Sequence, residues 1–140
     1  MAVQFFFEEH NISLKERIAL KRFILSIFSR KKRRLRNLTY VFCSDDYLLE
    51  INKTHLHHDY YTDIITFDLS ETADEITGEI YISTDRVREN AATLGVSINE
   101  ELHRVIFHGA LHLCGYKDKA LKHAKEMTAA ENRCLNAYFK

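Results

Sequence analysis

Apolar and polar positions alternate between two periods along the chain, and the switches between them mark the elements. Val3 to Glu9 is a short aromatic-rich run that predicts a strand. Ser13 and Glu16 have the spacing of a capping box, and Leu14, Ile18, Leu25 and Phe28 recur at helical intervals through about Ser29. Leu38 to Cys43 reads as a second strand. Ser44, followed by Asp45 and Asp46, opens a helix to about Thr54. Asp63 to Leu69 and Gly78 to Ile82 are the third and fourth strands; Ser83, Thr84 and Asp85 then cap a helix to about Leu94, which Gly95 ends. Ser97 and Glu100 form another capping box. The second half of the helix they start, Val105 to Cys114, is apolar all round except for two histidines, so it belongs in the interior. A last amphipathic helix covers about Leu121 to Phe139. This order predicts an α+β fold in a single domain over residues 1–140: one mixed, mostly covered β-sheet of about four strands, with about five helices.

Composition sharpens this picture in three ways. A chain of 140 residues that is 46% apolar, with no Pro, Gly or Ser-rich linker, suits one core and excludes disorder. Cys43, Cys114 and Cys134 are odd in number and form no CxxC pair, which suits a reducing compartment. No apolar run approaches a bilayer span and the N-terminus lacks the regions of a secretory signal, so the expectation is a cytoplasmic protein with no membrane partner. Twenty basic residues balance twenty acidic ones, so nucleic-acid binding has to rest on a local patch. Arg30 to Arg36 supplies one, with six cations in seven residues, more than a helix C-terminus needs for its dipole.

The chemistry concentrates near the end of the apolar helix. His108 and His112, four residues apart, share a helical face and can reach one metal ion. Gly115 is the residue type that ends a helix in a left-handed turn, and the turn brings Asp118 back as a third ligand, with His123 as the competing candidate. The arrangement follows the logic of metzincin zinc sites, except that Gly109 stands where those peptidases carry their general-base Glu. A zincin-type metallopeptidase therefore lacks its base. Cys114 reads as core packing, and Tyr116 as either a local packing residue or a base-stacking one.

The segment HGALHLCGYKD, His108 to Asp118, resembles the HGxLHLxGYDH signature of the YbeY endoribonucleases, metal-dependent proteins of rRNA maturation and ribosome quality control. Asn52, Asp59, Thr62 and Asp63 to Phe67 are similar to that family's LNxxxRxxDxPTDVLSF stretch, and Gly78 to Ser83 to its GDIxIS strand. The resemblance implies an α+β, zinc-dependent, single-strand-specific endoribonuclease acting on an rRNA precursor or the ribosomal small subunit, in late 16S rRNA 3′-end processing. Two positions depart from the pattern. Asp118 replaces the usual third His, leaving two imidazoles and a carboxylate, a set that takes Zn²⁺ but also Fe²⁺ or another divalent transition metal. Leu56 replaces the usual Arg; His55, His57 and His58 flank it and can carry charge below neutral pH. The expected chemistry is attack by metal-bound water, with no protein general base assigned, or by the RNA 2′-OH. Lys117, Lys119, Arg33 and Arg34 are the candidate phosphate contacts, together with His57 and His58. The remaining alternative is a non-catalytic RNA-binding or ribosome-binding assembly factor with a structural metal.

Overall fold

The computed structural model describes residues 2–140. In chain order the elements are β1 (Val3–Phe7), α1 (Arg17–Arg30), β2 (Arg34–Cys43), α2 (Asp45–Leu56), β3 (Ile64–Asp68), β4 (Glu75–Ser83), α3 (Thr84–Leu94), α4 (Ile98–Leu113) and α5 (Leu121–Tyr138). The strands form one sheet in the order β1-β2-β4-β3. β1, β2 and β4 run parallel, and β3 joins the edge antiparallel to β4, so the sheet is mixed.

Period-two alternation divides the strand residues between the faces. Val3, Leu38, Tyr40, Phe42, Ile76, Ile80 and Ile82 join residues of α1, α4 and α5 in the main core. On the opposite side, Cys43 and Ile65 pack with Leu48 of α2 in a smaller cluster. Gln4 and Phe6 of β1 stay exposed.

Three boundaries differ from the sequence pattern by three or four residues, one of them the start of β4, at Glu75 rather than Gly78. The Ser13 and Glu16 capping box does not form: α1 starts at Arg17, with Glu16 itself at the cap in a left-handed conformation (φ 56°) and no side-chain cap. Leu14 is buried in the core, and the Arg17 Nε–H donates to its carbonyl at 3.0 Å, so packing of Leu14 outweighs the local capping signal. β2 begins four residues early, at Arg34, because Arg34 pairs across the sheet with Glu75 of β4. The basic run is thus divided between a turn and a strand. The other caps form as the sequence predicts, with the Ser44, Ser83 and Ser97 side chains accepting from the amides of Tyr47, Arg86 and Glu100.

α4 lies unusually close to the sheet, and this fixes where its histidines stand. A Cβ on Gly109 would fall 2.7 Å from Ile80 Cδ1 and 3.2 Å from Ile64 Cδ1; a Cβ on Gly78 would fall 2.7 Å from Leu113 Cδ1. Bare glycine at both positions lets helix and strand approach. The buried Tyr40 hydroxyl donates to the Ile106 carbonyl at 2.9 Å, tying β2 to the middle of α4.

Candidate metal centre

α4 buries most of its circumference, yet one polar stripe runs along it: Glu101, Arg104, His108 and His112, spaced at three, four and four residues. At its C-terminus the Tyr116 amide donates to Leu111 O at 3.1 Å and the Gly115 amide to His112 O at 3.0 Å. These are the two bonds of a Schellman motif, and Gly115 takes the positive φ (106°) it requires. The reversal brings Asp118 Oδ2 to 3.3 Å from His108 Nε2. On the other edge of the ring, His108 Nδ1 lies 2.6 Å from Glu131 Oε2 of α5. The second Glu131 oxygen accepts from Arg104 Nη1 at 2.9 Å, and Arg104 Nη2 donates to Asn132 Oδ1 at 2.7 Å.

A carboxylate only accepts, so the short contact places a proton on His108 Nδ1 and leaves Nε2 as the atom facing Asp118. Burial alone would lower the pKa of His108, but the hydrogen bond and charge of Glu131, followed by Asp118 and Asp63, outweigh it and raise the value. Asp63 is half-buried just before β3, and its pKa is raised by burial, with backbone hydrogen bonds and the His108 charge acting the other way. Glu101 is buried too, and its Oε1 has no partner among the described residues. Burial raises its pKa against the pull of Arg104.

The predicted ligands are therefore brought together in part. His108 and Asp118 meet; His112 is exposed one turn further along the same stripe. Among the described residues no three His, Cys, Asp or Glu side chains stand close enough to hold an ion as they are placed. The donor set nevertheless fits one. Two ligands each about 2.0–2.1 Å from a tetrahedral zinc are separated by about 3.3 Å, which is the His108 to Asp118 spacing. The Glu131 contact is also of the kind that prepares an imidazole to ligate through its other nitrogen. His123, the competing candidate, lines an open cleft of about 380 Å³ on the same turn, with Lys31, Cys114, Gly115, Tyr116, Lys117 and Glu126.

The basic run reaches this same turn. Arg33 Nη2 lies 3.8 Å from where a Gly115 Cβ would sit. Lys31 Nζ donates to the Tyr116 hydroxyl at 2.7 Å and stands 4.8 Å from its ring centroid, so the Tyr116 ring is engaged locally. Arg34 and Arg36 instead pair with Glu75, at 3.3 and 4.0 Å. Lys117 lines the cleft, and Lys119 is exposed beyond it. His57 caps α2 with a left-handed backbone, and His58 stacks on Tyr60, its Nδ1 2.9 Å from the Tyr60 hydroxyl. Burial pushes the Cys114 thiol up to about 11, with Arg33 and Lys31 opposing, so Cys114 packs as an inert thiol.

Gly109 faces the sheet, and Ile80 and Ile64 fill the space a side chain would need. A peptidase-type glutamate is thus excluded by packing as well as by sequence.

The family model described as Endoribonuclease YbeY matches residues 4–139. The chain belongs to the YbeY endoribonuclease family. It is accordingly an enzyme of the nuclease class, and RNA is the polymer its site has to accommodate. Two curated relatives named Endoribonuclease YbeY show the extent of the likeness. The one from Cytophaga hutchinsonii is 46% identical over 94% of this chain and 92% of its own. The one from Parabacteroides distasonis is 42% identical over 96% and 94%. The solution structure of TM1509 from Thermotoga maritima superposes with a TM-score of 0.66 at 26% identity, covering 98% of this chain and 89% of that one. The YbeY match includes the whole polar stripe of α4, the Gly115 turn and Glu131.

Proposed function

We propose that the chain is a zinc-dependent, single-strand-specific endoribonuclease of rRNA maturation, acting at the 3′ end of 16S rRNA and in ribosome quality control, with His108, His112 and Asp118 as metal ligands. The observation that carries this reading is the His108 to Asp118 separation of 3.3 Å, with Glu131 holding the opposite ring nitrogen. Zinc held there would supply a Lewis acid for a phosphoryl oxygen and would lower the pKa of water toward about 7. The chain's own residues do the rest. Arg33, Lys31 and Lys117 stand at the turn that bears Asp118 and bind the phosphates on either side of the scissile bond. His112, exposed one turn along the same face as His108, would be the third residue to hold the ion.

The test is metal content and RNA cleavage measured together. Purified wild-type protein is expected to carry one divalent ion per chain and to cut a single-stranded RNA but not the matching duplex, with activity lost on chelation and restored by Zn²⁺. His112→Ala is expected to lose both metal and cleavage. Cleavage by metal-free protein at the wild-type rate would overturn the proposal. So would a wild type that binds metal and RNA but never cuts.

A further inference from the structure

Glu131 holds the His108 ring in the reading above, but Arg104, which engages the other oxygen of the same carboxylate, has no role there. Arg104 stands four residues before His108 on α4, so Glu131 spans one full turn of that helix from α5. The Glu131 side chain is 9% exposed, and both of its oxygens are engaged, Oε2 with the imidazole and Oε1 with the guanidinium. Arg104 is itself anchored through its second terminal nitrogen to Asn132. A fork held at two points aims the carboxylate, and a carboxylate held at two points aims the ring.

We propose that Arg104 and Glu131 are positioning residues that hold His108 in the Nδ1–H tautomer, with its Nε2 lone pair directed at the Asp118 side, so that the ligand pair is preset before an ion arrives. The consequence for metal binding rests on the metal-site reading; the tautomer itself does not. Loss of such a partner to a ligating histidine typically costs about 10–100-fold in metal affinity.

Glu131→Gln separates this role from simple bracing. The variant keeps the volume of the side chain but has only one accepting oxygen. Arg104, a cation whose Nη1 already donates to this side chain, takes that oxygen, and the amide –NH₂ then faces Nδ1, which has to become an acceptor. The tautomer therefore inverts to Nε2–H, removing the lone pair from the metal side. Replacing Arg104 as well, in the double variant Arg104→Met with Glu131→Gln, frees the amide to turn its oxygen back to Nδ1 and restores the original tautomer. Glu131→Asp, too short to span both partners, gives a mixture.

The experiment is an imidazole ¹⁵N spectrum of metal-free protein, recorded above the titration of His108, with a Zn²⁺ titration of each variant and a thermal melt of the metal-free form. The expected result is an Nδ1–H tautomer in wild type, inversion in Glu131→Gln with about 10–100-fold weaker Zn²⁺ binding, and recovery of both in the double variant. A Glu131→Gln protein that melts lower but keeps the wild-type tautomer and Zn²⁺ affinity would show a structural clamp only, and overturns the proposal. If Glu131→Gln does not fold, an unmixed wild-type tautomer in Glu131→Asp overturns it equally. Wild-type protein that binds no Zn²⁺, with a tautomer that inverts in Glu131→Gln and recovers in the double variant, supports the positioning role and contradicts the metal-site reading instead.

Discussion

Two ionisable side chains of α4, His108 and Glu101, sit in different balances of burial and partnership, and these balances set what each residue does. His108 is half-buried but faces carboxylates on both edges, which raises its pKa. Glu101, one turn before Arg104, is 5% exposed and leaves Oε1 without a partner among the described residues. Its pKa is raised chiefly by burial. A group whose folded pKa lies above its unfolded value favours folding fully below the unfolded pKa and loses that contribution as pH rises through the folded one. Ionised Glu101 is therefore a cost at neutral pH. Glu101→Gln is expected to raise thermal stability at pH 7 by on the order of 1 kcal/mol, the gain shrinking toward zero as pH falls to about 4, where the native carboxyl is neutral as well. Unfolding curves at the two pH values check this; an equal gain at both would contradict the assignment.

At the level of elements, α4 is both the centre of the core and the support of the site, and Gly109 joins the two roles. Gly109→Ala places a methyl 2.7 Å from Cδ1 and 3.0 Å from Cγ2 of Ile80, which is fully buried. Overpacking of this kind costs about 1–3 kcal/mol, more than the helix propensity alanine gains. The variant is expected to melt lower by several degrees while keeping far-UV helix content, as a denaturant midpoint would show. Much of this element was legible in the sequence. The Ser97 cap, the apolar run and Gly115 are local signals, and local signals place α4, its end and the return to Asp118. Glu131 was not legible, because its partner lies 23 residues away on another helix. A trace of it exists: Arg104 on an otherwise buried helix calls for a carboxylate, and Glu126 and Glu131 are the only acids in α5. The start of α1 was misplaced for the opposite reason, since a correct local capping pattern at Ser13 lost to the tertiary burial of Leu14.

For the whole molecule, a formal net charge of zero conceals a division of labour. Arg34 and Arg36 share one carboxylate, Glu75, across the sheet, whereas Lys31 and Arg33 are delivered to the turn that bears Asp118. Spacing along the chain does not show which cations go where; the early start of β2 decides it. RNA affinity is expected to fall linearly with the logarithm of salt concentration, and Lys31→Ala and Arg33→Ala each to reduce the slope by about 0.7. Arg34→Ala is expected to leave it nearly unchanged. A filter-binding salt series on single-stranded RNA measures this directly.

The central claim is that His108, His112 and Asp118 form one metal site at the end of α4. Its most direct test is an equilibrium Zn²⁺ titration of metal-free protein, wild type against Asp118→Ala, by calorimetry. One ion per wild-type chain, with binding at least about a hundredfold weaker in Asp118→Ala, is the predicted result. Equal affinity in the two proteins would contradict the account.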